Sequence, residues 1–194
     1  MAQELKSKVA IIGGGPAGCM CAYFLQNDFD VTVIEKNTPL KTILPTGGGR
    51  CNLCHAEFDF KELAKNYPRG EKFLYSVFSK FSTADTIDFF DKIGVETYTQ
   101  ENMRIFPKSN SAKDVREHFL QALKKVRFIK ENALRINRQN EIFSVVTNMG
   151  AYKADFVVIS SGGHASYDLI KMLGHKIIEP KPALVGLLTK ENFA

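Results

Sequence analysis

The sequence lacks any long hydrophobic run. Among its 194 residues no stretch approaches the roughly 20 apolar residues of a membrane helix, and residues 1–6 do not resemble the start of a signal peptide. These absences predict a soluble protein of the cytoplasm, where its four cysteines would stay reduced. There is also no internal repeat and no low-complexity segment, and an apolar content of 44% is ordinary for a globular protein with a real core.

Most of the chain also lacks an excess of charge of either sign. The formal net charge is +5, and residues 113–138 account for all of it, with eight Lys or Arg against three acidic residues. A basic patch can bind nucleic acid, but this stretch has the pattern of an amphipathic helix followed by strands, with scattered charges. We interpret it as a solvated face and expect no nucleic-acid partner.

The most informative segment that is present runs from residue 9 to residue 35. Residues 9–12 are a short, largely β-branched run typical of a buried parallel strand, and Gly13, Gly15 and Gly18 then fit the spacing G-x-G-x-x-G. In this motif the first glycine makes a tight turn, the second lets a pyrophosphate approach the backbone, and the third lets helix and strand pack closely. The N-terminus of the following helix would face the phosphates.

A second predicted strand, residues 31–35, ends in an acid. Glu35 lies 22 residues after Gly13, and its carboxylate can accept hydrogen bonds from ribose hydroxyls while repelling a 2′-phosphate. The strand, helix, second strand and acid together favour dinucleotide binding over a glycine-rich turn that binds nothing. They do not choose between FAD and NAD.

A second glycine-rich stretch, residues 46–52, reads Thr-Gly-Gly-Gly-Arg-Cys-Asn. Consecutive glycines lower the steric cost of positive φ and let a ligand approach the backbone. Arg50 offers a fork of donors suited to a phosphate or a flavin carbonyl, and Asn52 can both donate and accept. The alternative is a flexible loop in which the arginine occurs by chance.

The rest of the chain alternates between helical and strand patterns. Ser82 and Asp85 have the spacing of a capping arrangement, and Arg104 either holds a substrate carboxylate or joins a surface salt bridge. Helices are predicted at 16–25, 71–81, 86–93, 111–126 and 167–173. Strands are predicted at 8–12, 31–35, 127–131 and 156–160 for a parallel sheet, at 95–99 and 103–106 for a hairpin, at 133–137, 142–147 and 151–154 for an antiparallel meander, and at 176–178.

Several of these stretches resemble one family. Residues 13–18, 35–36 and 46–52, then Arg-Ile-Phe-Pro-Lys-Ser at 104–109 and Ser-Ser-Gly-Gly at 160–163, are similar to those of bacterial FAD-dependent oxidoreductases. The family is named after aminoacetone oxidase or a bile-acid 3-dehydro reductase and resembles the glutathione-reductase-like superfamily with two dinucleotide-binding domains. The resemblance extends over nearly the whole chain, and Gly-Gly-Gly-Arg-Cys-Asn is its most specific part.

The resemblance implies an α/β fold, a Rossmann-like FAD-binding domain with a parallel sheet, a small antiparallel β-meander and a helical insertion at about 56–94. It implies FAD as the cofactor, NAD(P)H as a candidate electron donor, and hydride transfer through flavin N5 to or from an unidentified small organic substrate. It places residues 48–52 near the ribityl or isoalloxazine part, the Ala133 backbone at the adenine and Gly162 at the diphosphate or ribose. The predicted cofactor-binding residues are Gly13, Gly15, Pro16, Ala17, Gly18, Glu35, Lys36, Thr46, Gly48, Gly49, Arg50, Cys51, Asn52, Ala133, Ser161 and Gly162. No catalytic base and no metal ligand is predicted.

The sequence departs from the family pattern in three ways. Leu53-Cys54-His55 stands where the family has x-Thr-Asn, residues 164–167 stand where many members have a longer glycine-rich loop, and the chain has about half the family's length. We expect residues 1–179 to form the FAD-binding domain and residues 180–194 to begin a second domain that is missing. An N-terminal fragment or a truncated gene product is therefore expected.

Residues 51–55 also spell C-x-x-C-H, the attachment signature of c-type haem. Haem attachment requires export, and a thioredoxin-like C-x-x-C opens a helix after a strand, so both are weaker interpretations; a reactive Cys51 beside the flavin stays open. Two functional alternatives also stay open: a dinucleotide-binding module without turnover of its own, and an NAD-dependent dehydrogenase, in which residues 46–52 would have no role.

Overall fold

A computed structural model of the protein describes residues 6–163 and 167–180. In chain order its helices and strands are β1 (Lys8–Ile12), α1 (Pro16–Leu25), β2 (Asp30–Ile34), β3 (Cys54–His55), α2 (Phe60–Lys65), α3 (Glu71–Phe78), α4 (Thr83–Lys92), β4 (Thr97–Thr99), β5 (Arg104–Pro107), α5 (Ala112–Gln121), β6 (Arg127–Ile129), β7 (Ala133–Gln139), β8 (Ile142–Thr147), β9 (Ala151–Ala154), β10 (Phe156–Ile159) and α6 (Tyr167–Met172). Short 3₁₀ turns occupy Lys41–Ile43 and Thr46–Gly48.

A four-stranded parallel sheet forms the centre of the fold, in the order β10-β1-β2-β6. Ile11 pairs with Val158 on one side and with Val33 on the other. The strands of a sheet covered on both faces need apolar residues at successive positions, and β1 supplies them, since its last four residues are all buried.

The two faces of the parallel sheet are covered by different layers. Val9, Ile11 and Val33 face one cluster that includes α1, α4 and α5, in which Phe89 and Phe119 are buried. Residues of the opposite parity on β1 and β2 face a second cluster, formed with the meander and α6: Ala10, Ile12, Ile34, Ile136, Val145, Ala154 and Leu169. The alternation of side chains along a strand assigns each set to its own layer.

Two antiparallel sheets complete the architecture. The predicted meander is present in the order β7-β8-β9, and the β7–β8 turn has Asn140 and Glu141 at positive φ, as a two-residue type I′ hairpin turn requires. The predicted hairpin of β4 and β5 is also present, but β3 adds a third strand on its far side, so the order is β3-β5-β4.

The element bounds differ from the predicted ones for identifiable reasons. Helix α4 begins at Thr83 rather than 86, because Ser82 is its N-cap and its N–H donates to the Asp85 carboxylate at 2.8 Å. Helix α5 ends at Gln121 rather than 126, because Ala122 N–H already bonds to Phe119 and His118 and the chain continues in tighter turns. The strand predicted at 176–178 is wrong, since these described residues form no strand.

Helices α2, α3 and α4 lie within the predicted helical insertion. Within residues 6–163 and 167–180, no helix combines the length and the apolar composition that crossing a membrane requires. Residues 164–166 and 181–194 lie outside the described residues. The predicted departure at 164–167 and the predicted second domain therefore fall almost entirely outside them.

Candidate dinucleotide-binding site

A cleft of about 400 Å³ lies at the carboxyl-terminal edge of the parallel sheet. Its walls come from the segments that follow β1, β2, β6 and β10, which is where open α/β sheets bind ligands. The predicted residues that line it are Gly13, Gly15, Pro16, Ala17, Glu35, Lys36, Ala133, Ser161 and Gly162. The structure therefore brings together nine of the sixteen predicted cofactor-binding residues.

The three glycines of the first loop differ in the space around them. A Cβ on Gly13, which has φ +102°, would lie 2.6 Å from the Ser160 carbonyl oxygen, and a Cβ on Gly18 would lie 2.0 Å from the Gly13 carbonyl oxygen. Both glycines are thus required by close approach of protein backbone. A Cβ on Gly15 would meet nothing nearer than the Thr42 hydroxyl at 3.9 Å, so this position is open toward the cleft.

Glu35 holds the first glycine loop in place. One of its carboxylate oxygens accepts a hydrogen bond from Gly14 N–H at 2.7 Å, and the other accepts one from Asn37 N–H at 2.7 Å. The Gly14 carbonyl accepts in turn from Leu40 N–H at 2.8 Å. Each carboxylate oxygen can accept a second hydrogen bond, so Glu35 keeps acceptor capacity on the cleft side.

Residues 46–52 form a separate loop, and none of them is among the residues that line the cleft. The glycines at 47, 48 and 49 and also Cys51 have positive φ. The loop is closed by its own backbone, since Gly49 N–H and Cys51 N–H both donate to the Thr46 carbonyl at 3.0 Å. With its amide nitrogen directed inward, Asn52 donates to the Cys54 and Ile105 carbonyls at 3.2 and 3.3 Å.

Comparison with protein families assigns this sequence to one family. The family described as HI0933-like protein Rossmann domain matches residues 7–180. The chain belongs to this family. The match confirms the expected Rossmann-like α/β fold and supports the resemblance to bacterial FAD-dependent oxidoreductases.

Among curated proteins, the HI0933-like chain is 28% identical over 204 residues to the 3-dehydro-bile acid delta(4,6)-reductase of Clostridium scindens. That match covers 96% of this chain and 48% of the reductase, so the chain spans about half the length of this curated relative. A bile-acid reductase is the kind of relative that the resemblance implied.

Among solved structures, the open form of NikD, an unusual amino acid oxidase essential for nikkomycin biosynthesis, matches with a TM-score of 0.50 at 18% identity, over 87% of this chain and 55% of NikD. The open form of a NikD mutant matches with a TM-score of 0.51 at 17% identity, over 89% and 55%. At such identities the likeness shows the fold of the HI0933-like chain alone.

The cleft of this HI0933-like domain also contains residues that sequence reasoning missed. Lys41 and Thr42 come from the first 3₁₀ turn, and Glu131 and Asn132 come directly after β6. These residues could have been predicted from their positions in the sequence, because the segments that follow parallel strands all begin at the same edge of the sheet. The remaining residues in this group are Ile12, Ile34, Asn37, Thr38 and Ser160, with Gly14 from the first glycine loop.

Glu131 connects the cleft wall to the meander. Its carboxylate accepts hydrogen bonds from the Thr147 hydroxyl at 2.5 Å and from the Tyr152 hydroxyl at 2.7 Å. The hydrogen bond to this carboxylate raises the pKa of the Tyr152 phenol. Asn148, in the β8–β9 turn, accepts from Asn132 N–H at 2.8 Å, so the turn is tied directly to the wall.

Burial disfavours the thiolate form of three cysteines in the HI0933-like chain. Cys51 is buried, and burial raises the pKa of its thiol. Burial also raises the pKa of Cys54 to about 11 and that of Cys19 to about 12. Because the thiolate is the reactive form, these shifts argue against a reactive Cys51, and Cys54 and His55 form a strand rather than opening a helix.

Among the described residues no group of three or more His, Cys, Asp or Glu is arranged to hold a metal ion. His118, on α5, lies against Gly94, and its Nδ1 is 3.3 Å from the Asp114 carboxylate. Neither His118 nor Asp114 lines the cleft.

Proposed function

We propose that this chain is the FAD-binding domain of a flavoprotein oxidoreductase, with the adenosine diphosphate part of FAD in the cleft. The observation that carries the proposal is the cleft itself, in which the Gly13–Gly15 turn, Glu35, Ala133 and Gly162 meet at one edge of the sheet. Their positions correspond to the diphosphate, the ribose and the adenine of one extended ligand.

The residues present fit such a ligand. The open space at Gly15, next to the first turn of α1, lets a diphosphate come within hydrogen-bond distance of backbone N–H groups. The helix dipole adds a favourable positive potential there. Lys36 and Lys41 add two cationic side chains to the walls, which favours an anionic ligand.

Glu35 selects among nucleotides. Its carboxylate, fixed by Gly14 and Asn37, would accept from ribose hydroxyls and repel a 2′-phosphate. This supports FAD or NAD over NADP in the cleft. The family resemblance supports FAD over NAD, because it places residues 48–52 near the ribityl or isoalloxazine part of FAD, whereas an NAD-dependent dehydrogenase would have no role for the loop at residues 46–52.

When bound, FAD supplies hydride transfer at N5 of the flavin. The chain's own contribution is to bind and orient: the glycine loop fixes the diphosphate, Glu35 the ribose, and the Ala133 backbone the adenine. We propose a small organic substrate and NAD(P)H as the electron donor for the whole protein, on the family resemblance alone.

The test is a titration of the purified 194-residue chain with FAD, followed by gel filtration and an absorbance spectrum. We expect flavin bands that stay with the protein. A Gly15→Ala variant is expected to lose FAD affinity by tenfold or more, because its methyl group occupies the diphosphate approach while meeting no protein atom closer than 3.9 Å.

Gly150→Ala is the matched control, since a Cβ there meets nothing within 4 Å and the residue lies in the β8–β9 turn, outside the cleft. Equal FAD binding by the two variants would contradict the diphosphate assignment. A folded wild-type chain that binds NADH but no FAD would favour the dehydrogenase alternative. Retained FAD without turnover of any electron donor would favour the binding module.

A further inference from the structure

Arg50 is held in place by two protein contacts. Its Nε donates to the Gly47 carbonyl at 3.1 Å, and its guanidinium carbon lies 4.0 Å from the centroid of the Phe106 ring. Phe106 is fully buried, and its ring packs so closely on Gly47 that a Cβ there would lie 2.6 Å from a ring carbon. The half-buried guanidinium is therefore fixed before any ligand arrives.

The outer edge of this guanidinium is unused by the protein. Across residues 6–163 and 167–180, no ion pair includes Arg50, and its two terminal nitrogens have no hydrogen-bond partner. A planar fork of charged donors, oriented in advance, matches a carboxylate through two parallel hydrogen bonds. Preorganisation reduces the entropy lost on binding.

The surroundings leave room for a ligand beside the loop. A Cβ on Gly48 would meet no atom within 4 Å, and Gly48 and Gly49 are both exposed. Arg50 is not among the residues that line the cleft, so the anion that it fits is not the diphosphate held by the first glycine loop.

We propose that Arg50 binds the carboxylate of the substrate, and that the substrate is accordingly an organic acid. The carboxylate site follows from the geometry of Arg50 alone, whereas its assignment to the substrate rests on the proposed function, which brings residues 48–52 to the flavin. Arg104, the carboxylate holder considered from the sequence, is instead an exposed residue on β5, opposite His55.

The experiment measures binding of benzoate, a planar carboxylate, by isothermal titration calorimetry to the 194-residue chain with and without added FAD. Inorganic phosphate is titrated in parallel. We expect the wild type to bind benzoate in both states, because Phe106 and Gly47 hold Arg50 without help from a cofactor. Arg50→Gln should weaken benzoate binding about tenfold or more in both states, as expected for a lost charge-assisted pair.

Arg50→Lys and Arg104→Gln are the comparison variants. The lysine keeps the charge but not the fork and should recover only part of the benzoate affinity, whereas Arg104→Gln should bind benzoate as the wild type does. Circular dichroism confirms that each variant is folded.

Three results would overturn the proposal: no benzoate binding by the folded wild type, equal weakening by Arg50→Gln and Arg104→Gln, or phosphate binding that is as tight as benzoate binding and is weakened equally in Arg50→Gln. The last result would assign Arg50 to a phosphate of the cofactor rather than to a carboxylate. Failure of the wild type to bind FAD would contradict the proposed function and leave the benzoate result intact.

Discussion

The two glycine-rich loops of this domain use glycine for different reasons. In the first loop, Gly13 and Gly18 are forced by neighbouring backbone, at 2.6 and 2.0 Å from a Cβ. In the second, a Cβ on Gly48 has free space, and what favours glycine there is a φ of +69°. Gly13 also has positive φ and Gly47 of the second loop also packs closely, so the loops differ at Gly18 and Gly48: the first of these positions is closed by backbone, and the second is open and exposed.

The two loops also differ in what holds them. The first is held from outside, by Glu35 and Leu40 on the segment that follows β2. The second is closed by its own Thr46 carbonyl and by Phe106 beneath Gly47. A disturbance of β2 should therefore reach the first loop and spare the second, which makes the comparison testable.

The largest effect is expected from Gly18→Ala. Alanine gains roughly 1 kcal/mol over glycine inside a helix, but a methyl group 2.0 Å from the Gly13 carbonyl oxygen forces α1 away from β1. We expect a net loss of about 3 kcal/mol of unfolding free energy, at the upper end for overpacked cores. Thermal unfolding followed by circular dichroism measures it, and a melting temperature equal to that of Gly150→Ala would contradict the packing argument.

Glu35→Ala should have the next largest effect. It leaves the part-buried Gly14 N–H without its acceptor, which costs about 1–3 kcal/mol of stability. Glu35→Gln keeps one acceptor oxygen and should lose less. Urea unfolding of both variants checks the order, and equal losses would show that Glu35 does not support the loop through this hydrogen bond.

A smaller effect is expected from Gly48→Ala. With open space around the Cβ, only the left-handed conformation opposes the change, at roughly 1–2 kcal/mol. Cys51 already adopts φ +65° in the same loop, so the chain tolerates this conformation in a non-glycine residue. Urea unfolding should give a loss clearly below that of Gly18→Ala; a loss as large would mean that the second loop is packed as tightly as the first.

The smallest effect is expected for the reactivity of the Cys54 thiol, on β3, two residues after the second loop. Its pKa is raised to about 11 by burial, so its thiolate fraction in the folded protein should keep rising about tenfold per pH unit from pH 7 to 10. In urea the thiolate fraction of Cys54 should level off once the pH exceeds the ordinary pKa of about 8.5. Iodoacetamide labelling with mass spectrometry compares the two states, and matching pH profiles would refute the shift.

Local patterns predicted the parallel sheet well. β1 and α1 have the predicted bounds, and β2 both begins and ends one residue earlier than predicted, so that Glu35 directly follows the strand. These elements follow from glycine spacing and β-branched runs, which act over a few residues. The strand predicted at 176–178 was wrong because two isoleucines alone do not provide a pairing partner.

Contacts between residues that are far apart in the chain could not be predicted from the sequence. The stack of Arg50 on Phe106 joins residues 56 positions apart, and the αL conformation of buried Leu40 brings its N–H to Gly14. Neither leaves a periodic signal. The position of Glu131 after β6 could have been used to predict its place in the cleft wall, but its hydrogen bonds to Thr147 and Tyr152, which lie on other strands, could not be predicted.

The two turns of the meander differ in their contacts with the rest of the molecule, and this difference decides where the protein can be labelled. The β8–β9 turn is bonded through Asn148 to the cleft wall at Asn132, so a peptide tag inserted there would disturb the cleft. The Asn140–Glu141 turn is an exposed hairpin tip at the far end of β7 and β8. A fluorescent reporter inserted at that tip would leave the cleft wall and its hydrogen bonds undisturbed.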